Sequence, residues 1–110
     1  MKALLIPAFG SVEEVEQNGL GDLQRLVEGH IEALPVHDRE DATAYVNEEG
    51  SLEGLPGNAR ATQLLGIQIA GPVVLCGFDA TTGEQKPIPD DLAQAVLAVS
   101  TSTSSDRSED

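Results

Sequence analysis

The chain has 110 residues, 40% of them hydrophobic, which suffices for one domain with a modest core. Nineteen acidic residues against six lysines and arginines give a net charge of −13, so nucleic acids and anionic membranes repel the chain. Two Phe, one Tyr and no Trp exclude a broad base-stacking surface and require an aliphatic core.

The N-terminal apolar segment predicts a β-hairpin. Residues 2–9 form an apolar run typical of a buried strand, and Pro7 indicates a kink or an edge. Residues 11–17 alternate loosely and are predicted to pair with that run, with Gly10 in the turn.

A short helix and two more strands are predicted next. Leucine and valine recur at helical spacing over 20–28, and Gly29 stands where a glycine commonly follows a helix end. Residues 30–36 are typical of a strand, 37–41 form a polar turn, and 42–47 favour extended structure.

Capping signals mark a second helix in the middle of the chain. Gly50 is predicted to take a positive φ in a tight turn. Asn58 fits an N-cap and Gly66 the residue after a helix end, so 59–65 is predicted to be helical.

The C-terminal third begins with the strongest strand signal. Residues 71–78 form a continuous apolar run typical of a central strand, and 79–88 a loop. Proline and paired acids at its start predict a helix over 89–99. The Ser/Thr-rich acidic segment 100–110 is predicted to be disordered.

These elements predict an α+β fold in a single domain over 1–99. We expect a mostly antiparallel sheet with two or three short helices on one face, followed by a disordered tail.

The sequence gives no support for catalysis, a metal or a cofactor. Cys76 lies among apolar neighbours, and His37 lies near three acids without any established metal-ligand spacing. Adjacent carboxylates are expected by chance among nineteen acids, and no phosphate-binding glycine loop is present. We therefore expect a protein that is not an enzyme, with a hydrolase as the less favoured alternative.

The glycine-rich stretch 45–65 is a candidate binding loop. Backbone amides near a helix start, together with one arginine, would suit an anion such as a nucleotide, although the same residues would also suit a capped connection. The candidate residues are Asn47, Glu48, Glu49, Asn58, Arg60 and Thr62.

An acidic surface is the second candidate. Residues 1–55 carry twelve acids and three bases, whereas 56–110 carry seven and three. This bias favours a partner protein that is basic or binds nucleic acid. Added salt would weaken the binding of such a partner. The candidate residues are Glu13, Glu14, Glu16, Asp38, Glu40 and Asp41.

Several segments resemble a known family: KALLIPA, YVNEEG, GLPGNARAT, GPVVLCGF and PIPDDL. They are similar to the uncharacterised domain of unknown function numbered 3846, found in bacteriophages, plasmids and their bacterial hosts, over roughly residues 1–98. The resemblance implies a role in conflict between a mobile element and its host, such as counter-defence. Its family-like residues within 45–65 are Asn47, Glu48, Gly50, Pro56, Asn58, Arg60, Ala61 and Thr62.

The favoured hypothesis is a non-catalytic acidic protein that engages a host protein in the cytoplasm. The alternatives are a sponge or sensor for a small anionic molecule, and a salt-adapted accessory domain without a dedicated partner. Pro7 interrupts the apolar start, so no signal peptide is expected, and a single cysteine fits a reducing compartment. No direct nucleic-acid or membrane contact is expected, and the chain is predicted to be a monomer or homodimer.

Overall fold

The computed structural model describes residues 1–98, which contain six strands and three helices. The third helix, α3, covers residues 90–98. The disorder predicted for 100–110 therefore concerns residues outside the described part of the chain. The other elements are β1 (Lys2–Ile6), β2 (Glu13–Glu16), α1 (Leu20–Val27), β3 (Ile31–Pro35), β4 (Ala42–Asn47), α2 (Ala59–Leu65), β5 (Val73–Asp79) and β6 (Glu84–Lys86).

All six strands join one antiparallel sheet, which confirms the predicted α+β fold. The strand order is β2-β1-β5-β4-β3, and β6 pairs with the end of β5. The predicted hairpin of β1 with β2 is present, with Lys2 opposite Glu16. β2 and β3 are the outer strands, while β5 lies between β1 and β4.

The helices lie on both faces of the sheet, which corrects the predicted one-face arrangement. On one face, Val74 and Cys76 of β5 pack with Leu23 of α1. On the other, Val73 and Leu75 pack with α2 and α3 in the larger cluster. The cover on both faces explains the continuous apolar run in β5, because a strand covered on both sides needs apolar residues at every position.

Strand β6 lies inside the segment predicted to be a loop. Its residues are polar, but Gly77 pairs with Lys86 and Asp79 with Glu84. The Asp79 carboxylate accepts hydrogen bonds from the amides of Thr81 and Thr82, which forms the turn. A strand of three polar residues at the margin of a sheet shows no apolar alternation, so hydrophobic periodicity could not predict β6.

Helix α1 ends differently from the predicted glycine cap. The left-handed residue is Glu28, with φ 69°, and not Gly29. A Cβ on Gly29 would lie 2.6 Å from Nδ2 of Asn47, which is buried. Gly29 is therefore needed for close approach of the Asn47 side chain, and the strained backbone conformation falls on the preceding glutamate.

Replacing Glu28 by glycine should stabilise the domain. A non-glycine residue in the left-handed region costs about 1 kcal/mol, and glycine removes this cost. Because the Glu28 side chain is exposed, its removal sacrifices no buried contact. We expect Glu28→Gly to raise the free energy of unfolding by about 1 kcal/mol in urea melts. Glu28→Ala removes the same charge but keeps the strained backbone conformation. An equal gain in the free energy of unfolding of that variant would show that the effect comes from the lost charge.

Candidate functional site

Asn47, at the end of β4, is a structural residue. It is buried, and its Nδ2 donates to the carbonyl of Val27 at 3.1 Å and to the Glu53 carboxylate at 3.3 Å. Its Oδ1 accepts the amide hydrogen of Glu49 at 2.8 Å. The side chain thereby ties the end of α1 to the turn after β4.

Asn58 has a similar role at the start of α2. Its Oδ1 accepts the amide hydrogen of Ala61 at 3.1 Å, which confirms the predicted N-cap. Its Nδ2 donates to the carbonyls of Ile6 and Gly71, each at 2.9 Å. One buried amide therefore caps the helix and joins it to β1 and to the segment before β5.

Arg60 and Thr62 also bind backbone groups. Nη2 of Arg60 donates to the carbonyl of Pro7 at 2.8 Å, and Oγ1 of Thr62 accepts the amide hydrogen of Ile69 at 3.0 Å. Together with Asn58, these side chains fix both flanks of α2. Three polar side chains of the predicted anion pocket therefore make hydrogen bonds within the protein, and α2, which begins beside them, has only seven residues.

Gly50 is important for contact and not for backbone conformation. Its φ is not positive, contrary to the prediction, and Gly54 takes the positive φ in this connection. A Cβ on Gly50 would lie 2.5 Å from the carbonyl oxygen of Ala70. Gly50 therefore lets the turn after β4 contact the segment that leads into β5.

Two concave regions flank this connection. A groove of about 180 Å³ is bounded by β3, residues 47–52 and residues 67–70. A second groove, of about 260 Å³, lies between α2 and α3. Both are smaller than the roughly 300–1,000 Å³ of common small-molecule sites.

The acidic candidates occupy exposed positions at one end of the sheet. Glu14 and Glu16 lie on the outer strand β2, and Asp38, Glu40 and Asp41 lie in the connection from β3 to β4. Glu13 is also exposed, but alternation along β2 turns its side chain toward the opposite face from Glu14. The structure therefore separates Glu13 from the other five candidates.

Two cations join the separated acids through the start of α3. Nζ of Lys2 lies 3.8 Å from Glu14 and 3.6 Å from Asp90. Arg39 forms two hydrogen bonds of 2.8 Å with Asp41 and one of 3.2 Å with Asp91. We call this surface the acidic belt, and it comprises Glu14, Glu16, Asp38, Glu40, Asp41, Asp90 and Asp91.

Two aspartates of the belt, Asp41 and Asp91, stay ionised to a lower pH than an ordinary aspartate. The hydrogen bonds from Arg39 lower the pKa of Asp41 and the pKa of Asp91 below their usual range. The same carboxylates raise the pKa of Arg39 above its already high value. Within residues 1–98, the ion pairs of these seven carboxylates involve only Lys2, Arg39, His37 and the amino group of Met1, so a negative excess remains.

A buried polar network that the sequence did not reveal lies beneath α1. Gln17 is fully buried, and its Nε2 donates to Oε1 of Gln85 at 3.1 Å and to the Cys76 sulfur at 3.7 Å. Nε2 of Gln85 donates to the hydroxyl of Tyr45 at 2.9 Å. Burial raises the pKa of Cys76 to about 11, so its thiol stays protonated and unreactive near neutral pH.

The described residues contain neither a cluster of metal ligands nor a membrane-spanning helix. Residues 1–98 hold no group of three or more His, Cys, Asp and Glu arranged to bind a metal ion. His37 lies 3.3 Å from Asp38 on the surface. No helix within residues 1–98 has the length and apolar character needed to cross a membrane.

Comparison with known proteins gives a family match. The model of the domain of unknown function DUF3846 matches residues 1–100. No curated protein and no solved structure matches the chain. Since the match spans almost the whole chain, this protein belongs to the DUF3846 family, as the segments from KALLIPA to PIPDDL suggested.

Proposed function

We propose that this chain is a non-catalytic acidic protein that binds a basic host protein through the acidic belt. The observation that supports this most is the continuity of the belt across β2, the start of α3 and the β3–β4 connection. Lys2 and Arg39 hold carboxylates from these three elements together. The remaining negative charge is exposed and available to a cationic partner.

The chemistry of the belt fits a partner that normally binds nucleic acid. A cluster of exposed carboxylates resembles a phosphate backbone in charge, and such surfaces attract Lys- and Arg-rich sites over several ångströms of solvent. The family resemblance to phage and plasmid proteins favours a bacterial host protein and a counter-defence role. Such a partner would be met in the host cytoplasm.

The small-ligand alternative has weaker support. Asn47, Asn58 and Thr62 are engaged by backbone groups, and the two grooves have small volumes. The groove beside the candidate loop is lined by Glu32, Glu48 and Glu49, which would repel an anion. A nucleotide sponge at 45–65 is therefore not the favoured function.

The test compares two triple variants that have the same net charge. The belt variant carries Glu14→Gln, Asp38→Asn and Glu40→Gln, and the control carries Glu13→Gln, Glu28→Gln and Glu84→Gln, at exposed positions outside the belt. Each is immobilised and exposed to nuclease-treated bacterial lysate. We expect wild type and control to retain the same basic protein, the belt variant to lose it, and both salt and duplex DNA to release it.

Two results would contradict the proposal. Equal retention by the belt variant would show that the belt is not the interface, and binding that is unchanged at 1 M salt would exclude an electrostatic contact, since the Debye length there is only about 3 Å. A domain that folds only in molar salt would instead assign its charge to salt adaptation.

A further inference from the structure

We propose that the groove between β3 and segments 47–52 and 67–70 is a second binding surface, which takes a basic peptide segment with one apolar anchor residue. Its floor includes Leu34 and Val46, on the face of the sheet that α2 and α3 cover only in part. The inference does not depend on the belt, because residues 46–52 of the groove lie at the end of β4 opposite Asp41.

Apolar side chains exposed at the groove indicate the anchor. Leu52 is 87% exposed and Ile67 is 51% exposed, and both line the groove. Together they form a small apolar patch rimmed by polar residues, and such a patch is typical of an interaction site. The volume of about 180 Å³ matches a single ring or branched aliphatic group, since a cavity of roughly 150 Å³ accepts benzene.

The charge around the groove selects a basic partner. Glu32, Glu48 and Glu49 line it and are exposed. In residues 1–98 none of these carboxylates forms an ion pair, whereas Glu14, Asp41 and Asp91 of the belt do. Lysine or arginine on the partner would supply the missing positive charge, and a second copy of a chain with net charge −13 would add repulsion.

The walls of the groove are fixed before binding. The close approach of Gly50 to the carbonyl of Ala70 joins the two segments. The amide of Leu55 donates to the carbonyl of Gly50 at 2.9 Å, and Asn47 holds the amide of Glu49. A preformed groove loses little conformational freedom on binding, which favours affinity for a short segment.

The free edge of β3 gives the peptide a backbone partner. β3 pairs only with β4 and is an outer strand of the sheet. An extended segment that adds to this edge would gain main-chain hydrogen bonds, and its alternate side chains would face the groove. The proposed occupant is therefore extended, with basic residues on either side of the anchor.

The probe is a fluorescent synthetic peptide in which alternating lysine and threonine flank a single phenylalanine. We expect it to bind wild type and to bind Leu52→Ser about tenfold or more weakly, as for loss of a central apolar anchor. Leu20→Ser is the matched control, because Leu20 is 57% exposed on α1 and outside the groove. A peptide with alanine in place of phenylalanine should bind wild type as weakly as the phenylalanine peptide binds Leu52→Ser.

Charge variants separate the groove from the belt. Glu32→Gln with Glu48→Gln and Glu49→Gln should weaken peptide binding more than Glu14→Gln with Asp38→Asn and Glu40→Gln. The opposite order, equal binding of the alanine peptide, or no binding to wild type would each overturn the inference. Self-association that Leu52→Ser abolishes in sedimentation experiments would also overturn it, since a second copy would then occupy the groove.

Discussion

Gly77→Ala should destabilise the domain by about 3 kcal/mol or more, the largest single effect expected in the sheet. A Cβ at this position would collide with the carbonyl oxygen of Pro87 and lie 2.8 Å from that of Lys86. Both atoms belong to backbone, which the hydrogen bond from the Ile88 amide to the Lys2 carbonyl holds in place at 2.9 Å. The measurement is the midpoint of urea unfolding followed by circular dichroism.

Gly21→Ala is the control for this change. Gly21 lies in α1 with nothing within 4 Å of an added Cβ, so alanine should stabilise the helix by about 0.5–1 kcal/mol. The two substitutions therefore have opposite expected signs. If Gly77→Ala were as stable as wild type, β6 and the following residues would have to move freely, and the described packing of β6 on β5 would be wrong.

Asn58→Ala should cost about 3 kcal/mol of unfolding free energy. Loss of an N-cap costs about 1 kcal/mol, and leaving two buried carbonyls without donors costs about 1 kcal/mol each or more. Asn58 is only 1% exposed, so water cannot replace these bonds without an opening of the structure. The melting temperature should fall by roughly 12–24 °C for a domain of this size.

A serine variant divides the effect of Asn58 into its parts. Asn58→Ser keeps an oxygen that can accept from the Ala61 amide but loses the donors to Ile6 and Gly71. We expect it to recover about 1 kcal/mol relative to alanine. A variant at position 58 with full stability but lost binding to a ligand or partner would instead make Asn58 a binding residue.

The local signals for α2, β4 and β5 were reliable because local geometry determines them. Asn58 and Gly66 bracket α2 as predicted, with Gly66 at φ 76°. The bounds of β4 also agree with the sequence prediction, and the apolar run near 71–78 lies in the central strand β5. Capping and strand propensity act within a few residues, so they can be derived without knowledge of the rest of the fold.

Features that depend on distant contacts could not be derived in this way. Gln17 and Gln85 look like surface residues in the sequence, yet they meet over Cys76 because β2 and β6 end near the same side of the sheet. The belt has the same origin, since Lys2 and Asp90 lie far apart in the chain. The tertiary fold brings these pairs together.

The candidate loop shows why residue type alone misleads. Asparagine and threonine suit ligand binding and also suit bonding to backbone, and the sequence did not distinguish the two uses. The structure assigns Asn47, Asn58 and Thr62 to backbone contacts. The glutamates beside them, Glu48 and Glu49, remain exposed and line the groove.

The position of β5 between β1 and β4 has a consequence for synthesis on the ribosome. The hairpins β1–β2 and β3–β4 share no strand pairing until residues 73–79 emerge, since β5 joins them. At a synthesis rate of about 5–20 residues per second, β5 follows β1 after roughly 4–14 s, and strand edges of the nascent chain stay unpaired during this interval. The acidic excess of residues 1–55 would keep this unfinished chain apart from its neighbours during that interval.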